Sequence, residues 1–439
     1  MNIQGLGILI CFLGFVVLMA KRWCPMALAY PLMALAIAII VGLPIFGADG
    51  FFATMMDQGA VKNATHVAVC LASAWLGGMM LVTGISKRII KLAAELGGDK
   101  PFLVTLLVIA AVALCMTTIS GLGAVVMLGQ IAIPILVNVG VPGLVAICAF
   151  LFAYAIGLTV NLGNWTYFAT VTSAGFEDVK GFALTLMAIT AATTVVAMIF
   201  MFKRNGLKFS YSDRTETPVE DNSDFDDSKV PFAALLTPLV PLALVLLPFI
   251  KVGTIASFNI ALIYCIFSLW IFGKGEFKLG DLCNRVLNKA ATEGVTGAAM
   301  VIIQSTLCGV LTLVLGREEV TAVLQEAVGA VFPKSQIAFI LFFAILAPLA
   351  LFRGPTNIWG VGATIATLLV STGTLAPNQV MAAYISCERT QVICDPTNTH
   401  NIWLSGYVGS DTITLLKKVL PWAWIMSALG VTVAGFMYF

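Results

Sequence analysis

The chain has 439 residues, is 60% hydrophobic and only 10% charged, and has a mean hydropathy of +1.00. No soluble domain of this length is that apolar, and many windows reach bilayer-spanning length, so the composition specifies a polytopic membrane protein. The net charge of +2 sits in short loops rather than in a patch, so it gives no sign of a nucleic-acid partner, and none is expected.

The ten cysteines are scattered at no metal spacing. Only two histidines are present, His66 and His400, so a disulfide scaffold and a histidine-based metal enzyme both lack their residues. Cys387 and Cys394 fall on one helix face and read as buried free thiols.

The first apolar run, Gly5–Ala20, lacks a basic start and small-residue cleavage sites, and reads as a retained helix. Spans follow at Pro25–Gly47 and Thr65–Thr83. In Ser86–Leu96 apolar residues fall mostly on one face with basic residues opposite, the pattern of a helix lying in the interface. Pro101–Gly140 is interrupted by Thr118-Ile-Ser-Gly-Leu-Gly123. Pro142–Thr172 is interrupted by Asn161-Leu-Gly-Asn-Trp-Thr166, and Gly181–Phe202 closes the first half.

The one long polar stretch, Lys203–Lys229, opens basic and turns acidic through Asp221, Asp224, Asp226 and Asp227, as a solvated linker does. The second half repeats the order. Spans at Pro231–Ile250, Thr254–Phe272 and Thr292–Leu315 precede an amphipathic segment, Arg317–Gly329. Lys334–Thr374 is interrupted at Arg353-Gly-Pro-Thr-Asn357, a broken helix follows at Pro377–Ser405, and Val419–Tyr438 ends the chain. Pro101 and Gln336, Gly121 and Pro355, Pro142 and Pro377, and Asn164 and Asn398 are all separated by about 235 residues, as an internal repeat requires.

Placing the basic loops in the cytoplasm makes the two halves opposite in topology, with about five spans and one re-entrant hairpin each and both termini outside. The expected fold class is therefore an all-α polytopic membrane protein of two inverted-topology repeats. The first is 1–202, with a cytoplasm-facing hairpin at 101–140 and a broken helix at 142–172. A cytoplasmic linker spans 203–230. The second is 231–439, with an outside-facing hairpin at 334–374 and a broken helix at 377–405.

Inverted repeats bring the hairpin tips and broken helices together near the bilayer midplane, where helix N-termini favour an anion and freed carbonyls can hold sodium. Ser120, Gly121, Asn161 and Asn164 supply the first pair of interruptions, as small or capping residues. The second pair is richer: Pro355-Thr356-Asn357-Ile-Trp359 reappears as Pro396-Thr397-Asn398 followed by Asn401-Ile-Trp403.

Arg353 and Arg389 can each hold a carboxylate bidentately, or form a structural ion pair with Glu388 or Asp395. Glu388, Asp395 and His400 are the candidates to carry a coupling ion, since carboxylates at this depth can bind a proton or, ionised, sodium. His400 also reads as a hydrogen-bond donor to the turn. Glu293 reads as a solvated helix end. Sodium is expected near Asn161 and Asn398 if it is bound. No resident metal or other cofactor is called for.

On these residues the chain resembles the ion transporter superfamily of bacterial organic-anion carriers, which includes citrate–metal proton symporters, gluconate permeases and divalent-anion sodium symporters. The resemblance rests on Gly84–Pro101, the first hairpin, the Asn161–Thr166 break and their copies in the second half. It implies that Ser120-Gly-Leu-Gly, Pro355-Thr-Asn and Pro396-Thr-Asn stand where relatives bind substrate carboxylates and sodium; the motif is only partly kept. It also implies a homodimer in a bacterial inner membrane.

The reading is a secondary-active transporter of a small organic carboxylate, a di- or tricarboxylate or sugar acid, coupled to protons or sodium. The alternatives are a sodium/proton antiporter of the same fold, a passive channel, and an intramembrane enzyme. For the last, no Ser–His or paired-Asp signature is visible.

Overall fold

In a computed structural model, the described residues are 3–20, 23–207, 225–247, 249, 251–333, 335–360 and 362–439. Most of the expected linker, including Asp221 and Asp224, lies outside them, as do Lys21, Arg22 and Lys334. The described residues form helices and contain no strand.

The chain opens with α1 (Ile3–Ala20) and α2 (Met26–Val41). A π turn, Phe51–Met55, runs into α3 (Met56–Lys62) and α4 (Ala64–Val82), followed by α5 (Ile85–Gly97). Next come α6 (Pro101–Met116), α7 (Leu122–Asn138), α8 (Gly143–Thr159), α9 (Leu162–Thr172) and α10 (Phe176–Arg204). The second half holds α11 (Leu239–Leu246), α12 (Thr254–Phe272), α13 (Leu279–Asp281), α14 (Leu287–Leu315) and α15 (Glu318–Val331). It continues with α16 (Gln336–Leu346), α17 (Gly362–Ser371), α18 (Pro377–Cys394), α19 (Thr399–Tyr407) and α20 (Thr412–Tyr438).

Local chemistry sets these boundaries. Pro101 and Pro377 stand at the first helical position, where a missing amide costs nothing. Asn161 caps α9 by accepting from the amides of Gly163 and Asn164, and Asp411 caps α20 in the same way through Ile413 and Thr414. Phe51–Val82, Phe176–Arg204, Thr254–Phe272, Gln336–Arg353 and Thr412–Tyr438 are long and apolar enough to cross a bilayer. The pair α8 and α9, bent by 61°, makes a sixth if it is one span.

Three expectations change. The span expected from Thr65 begins at Phe51; Asp57, Gln58 and Lys62 obscure its first turns in the sequence. Pro231–Ile250 is not one helix, because Pro231, Pro238 and Pro241 remove amide donors and leave a 3-10 turn at Phe232–Leu236 before the short α11. The segment expected to lie in the interface, α5, is partly buried: Ile85, Ile89 and Ile90 are covered, and Gly97 abuts Val104 of α6. Its basic face is partnered too. Asp227, at the end of the linker, takes Lys91 at 2.8 Å and Lys87 at 3.2 Å.

The bounds of α8, α10, α18 and α20 recur at about the 235-residue offset, and so does a pair of close contacts. A Cβ on Gly309 would lie 1.9 Å from the Gly59 carbonyl oxygen, and one on Gly294 would lie 1.9 Å from that of Ala74. Shifting Gly59 forward by the offset gives Gly294, and shifting Gly309 back gives Ala74, so one contact is the other with the halves exchanged. Between them, the buried Asn63 donates from Nδ2 to the Ser305 carbonyl. The segment Phe51–Val82 and α14 thus lie backbone to backbone, a separation only glycine permits.

Gly294→Ala should therefore cost at least about 1–3 kcal/mol of stability through overpacking. Gly181→Ala, where a Cβ meets nothing within 4 Å, should be neutral or slightly stabilising. Thermal unfolding of the purified variants measures both, and equal melting temperatures would contradict the contact.

Candidate substrate-binding site

The interruptions of both halves border one cavity of about 590 Å³. The first hairpin contributes Ser120, Gly121, Leu122 and Gly123, and α9 contributes Asn164. From the second half come Arg353 and Trp359 at the hairpin tip, and Gln391, Val392, Asn398, Thr399 and His400 around the break between α18 and α19. Tyr154 and Leu158 of α8 and Glu293, Thr296 and Gln304 of α14 also line the wall. The size suits a small molecule, and the lining mixes apolar side chains with a few polar ones, as ligand pockets do.

Arg353 stands on a strained backbone. Phe352 and Arg353 are consecutive non-glycine residues in the left-handed region, at φ 55° and 61°, each worth roughly 1–3 kcal/mol of strain. Packing at the tip holds them there. The Arg353 amide donates to Asp395 Oδ2 at 3.3 Å, and Gly360 packs against the Arg353 carbonyl so closely that a Cβ would lie 2.5 Å away. Asn357, fully buried, donates to the Ala350 carbonyl at 3.0 Å and accepts the Trp359 amide at 2.9 Å. The guanidinium donates to the Trp359 carbonyl at 3.4 Å. Among the described residues no carboxylate comes within 4 Å of it. Asp395 holds this residue by its backbone and leaves its charge facing the cavity.

Arg389 is placed differently. It is fully buried, does not line the cavity, and pairs with Glu388 while donating to the Ala155 carbonyl and Thr159 Oγ of α8. Its Nε finds no partner among the described residues. Glu388 is buried as well, and its Oε1 accepts Trp359 Nε1 at 2.8 Å and Asn164 Nδ2 at 3.4 Å. Both donors line the cavity, so the ion pair sits one layer behind the wall and is joined to it by hydrogen bonds.

The break between α18 and α19 is satisfied residue by residue. Asp395 Oδ1 accepts the Thr397 amide at 2.8 Å and its hydroxyl at 2.7 Å. Asn398 donates to the Gln391 carbonyl at 2.9 Å and accepts Gln391 Nε2 at 3.1 Å. His400 donates from Nε2 to the Val392 carbonyl at 2.9 Å and stands edge-on to Tyr154, 5.1 Å between ring centres. In the first half Asn161 does the work of Asp395: its Oδ1 caps α9, and its Nδ2 donates to the Met116 carbonyl at the end of α6.

With this geometry in place, the comparison with known families is direct. The sequence profile of DcuC, the C4-dicarboxylate anaerobic carrier, matches residues 49–355. The chain belongs to the C4-dicarboxylate anaerobic carrier family. The protein is accordingly a membrane transporter, not an enzyme. Two solved structures share the fold of this carrier. The YdaH transporter of Alcanivorax borkumensis superposes with a TM-score of 0.64 at 15% identity, covering 98% of both chains. MtrF of Neisseria gonorrhoeae, described within a class of antimetabolite efflux pumps, superposes with a TM-score of 0.58 at 15% identity, covering 90% of this chain and 85% of its own. No curated protein matches the sequence. The resemblance drawn from the sequence reached the transport class; the family that matches is the dicarboxylate carriers rather than the branches named there.

Of the expected site residues, Ser120, Gly121, Asn164, Arg353, Asn398 and His400 line the carrier's cavity. Asn161, Thr356, Asn357, Glu388, Arg389, Asp395 and Thr397 do not; they hold the tips and breaks in shape. Thr356, for instance, donates to carbonyls at the end of α16. Tyr154, Gln304 and Gln391 were not singled out, and Glu293, read as a solvated end, lines the wall. The repeat offset could have found Tyr154, since it pairs that residue with Arg389. Trp359 stood in the Pro-Thr-Asn motif already quoted.

Removing one partner of the buried pair should be far worse than removing both charges. Arg389→Met is expected to cost on the order of 3–5 kcal/mol, and adding Glu388→Gln should recover most of it, because the amide oxygen can still accept from Trp359 and Asn164. Thermal unfolding of the single and double variants tests this; additive losses would contradict it.

Proposed function

We propose that this protein is a secondary-active transporter of a small carboxylate, bound in the cavity with one carboxylate on the Arg353 guanidinium. The observation that carries the reading is Arg353 itself: a cation at a strained hairpin tip that lines a cavity, with no carboxylate within 4 Å of its guanidinium among the described residues. Guanidinium geometry suits a carboxylate bidentately. Ser120, Asn164, Asn398 and Thr399 line the same cavity and supply hydrogen-bonding groups for the rest of the ligand. Membership in a family described as C4-dicarboxylate carriers supports a substrate of that size and chemistry.

Coupling to a proton or sodium is the finer part of the proposal. Of the two carboxylates at the break, Glu388 is the one joined to the cavity, since Trp359 and Asn164 touch both it and the cavity. Asp395 is saturated by three donors and serves the turn. The side-chain oxygens of Asn161 and Asn398 are already accepting, so a sodium ion would take freed carbonyls and Asn401 Oδ1, which has no partner among the described residues. An antiporter would need a carboxylate at the break that is free to exchange a cation; Glu388 is paired with Arg389 and Asp395 is held by three donors of the turn and tip, which favours the carboxylate reading.

Alternating access follows from two inverted repeats rocking about a shared axis in a bacterial inner membrane. The exchanged contacts of Gly59 with Gly309 and of Gly294 with Ala74 support that relation. So does the way each hairpin touches the other half's broken helix, Gly129 against Trp403 and Thr367 Oγ1 donating to the Val171 carbonyl at 3.4 Å.

Reconstituted in liposomes, the protein should accumulate succinate when a proton or sodium gradient is imposed. Arg353→Ala should weaken carboxylate binding by about tenfold or more, the loss of a charge-assisted hydrogen bond, and Arg353→Lys should retain part of it. Gradient-independent flux, or unchanged binding in Arg353→Ala, would sink the proposal.

A further inference from the structure

Arg353 and Glu293 are the two formally charged side chains among the described residues that line the cavity, and their charges are opposite. Among the described residues Glu293 has one ion pair, with Lys289 a turn earlier on α14. That pair is 3.7 Å long with both side chains about a third exposed, beyond the reach of a charge-assisted hydrogen bond. A simple dianion would meet one guanidinium and be repelled by Glu293. A carboxylate that also carries an ammonium group satisfies both.

Gln391 lines the cavity at 4% exposure, and its Oε1 has no partner among the described residues. Its orientation is fixed by its neighbour. Asn398 must turn its amide nitrogen to the Gln391 carbonyl, so Asn398 Oδ1 faces Gln391 Nε2, and Gln391 Oε1 is left as the free acceptor. A buried acceptor without a donor is costly. The cavity wall therefore carries one cation, Arg353, and one anion, Glu293, with the unsatisfied Gln391 Oε1 buried just behind it, and what completes the charge pattern is a ligand with both an anionic end and an N–H donor.

We infer that Glu293 is a specificity-determining residue that selects ammonium-bearing carboxylates, amino acids or amino dicarboxylates, over simple diacids. The inference rests on the carboxylate reading of Arg353 given above. It does not need Glu293 to move or to titrate, only to remain ionised and in place while the ligand's ammonium group approaches. Discrimination arises from attraction of the right ligand and repulsion of the wrong one together.

The test is ligand titration of the purified full-length protein, read as thermal stabilisation, with succinate, aspartate and 4-aminobutyrate. Aspartate adds an ammonium group to succinate, and 4-aminobutyrate replaces one carboxylate by it. At least one amino ligand should bind about tenfold tighter than succinate. Glu293→Gln should erase that preference and tighten succinate, while Glu293→Asp should keep the preference. Succinate binding as tightly as both amino ligands to the wild-type protein overturns the inference while leaving the carboxylate reading standing, and that comparison needs no variant. A preference that survives Glu293→Gln overturns it as well. A protein stabilised by none of the three ligands overturns both.

Discussion

The structure depends on one constraint: a helix broken inside an apolar medium must find a partner for every amide and carbonyl it frees. At both breaks the same device meets it. An Asn or Asp just past the end of the first helix accepts from the amides of the turn and reaches across to the tip of its own half's hairpin. Asn161 bonds to Met116 and Asp395 to Arg353. One residue thus both holds the turn and attaches the hairpin, so the tip cannot shift without loosening the break.

That coupling explains the different fates of the charged residues. Glu388 and Arg389 neutralise each other and pin α18 to α8 behind the cavity wall, where an unpaired charge would be severely destabilising. Asp395 spends its oxygens on the turn. Arg353 differs from Arg389 in that its backbone amide, rather than its guanidinium, hydrogen-bonds the nearby carboxylate, Asp395. The strained φ angles at Phe352 and Arg353 are the local cost of aiming that side chain, and they are held by the glycine-tight packing of the tip.

Aromatic residues tie the first half to the second hairpin. Tyr30 and Tyr167 donate their hydroxyls to the Gly360 and Ile358 carbonyls of the second hairpin, and Tyr167 stacks on Trp359 at 4.1 Å. Trp359 in turn reports to Glu388. A ligand touching Trp359 is therefore one hydrogen bond from the buried ion pair, and a rearrangement at the pair is one hydrogen bond from the cavity. Packed networks of this kind hold discrete arrangements rather than deforming smoothly, which suits a carrier that alternates between states.

By itself the sequence determined the membrane class, the helical fold, the order of elements and the places where the helices break. Those follow from hydropathy, from proline at helix starts, and from polar residues appearing where lipid-depth residues belong, all of which are local in the chain. The roughly 235-residue offset was legible for the same reason: landmarks such as Pro142 and Pro377 keep their spacing. What each charge does was decided only by the tertiary structure. Arg353 and Arg389 look alike in sequence, yet one faces a cavity and the other a carboxylate, because which atoms come within reach depends on how α8, α14 and the hairpin tips pack. Glu293 reads as a helix end until α14 is laid against the first hairpin, since a long-range juxtaposition leaves no periodic trace in the residues that create it.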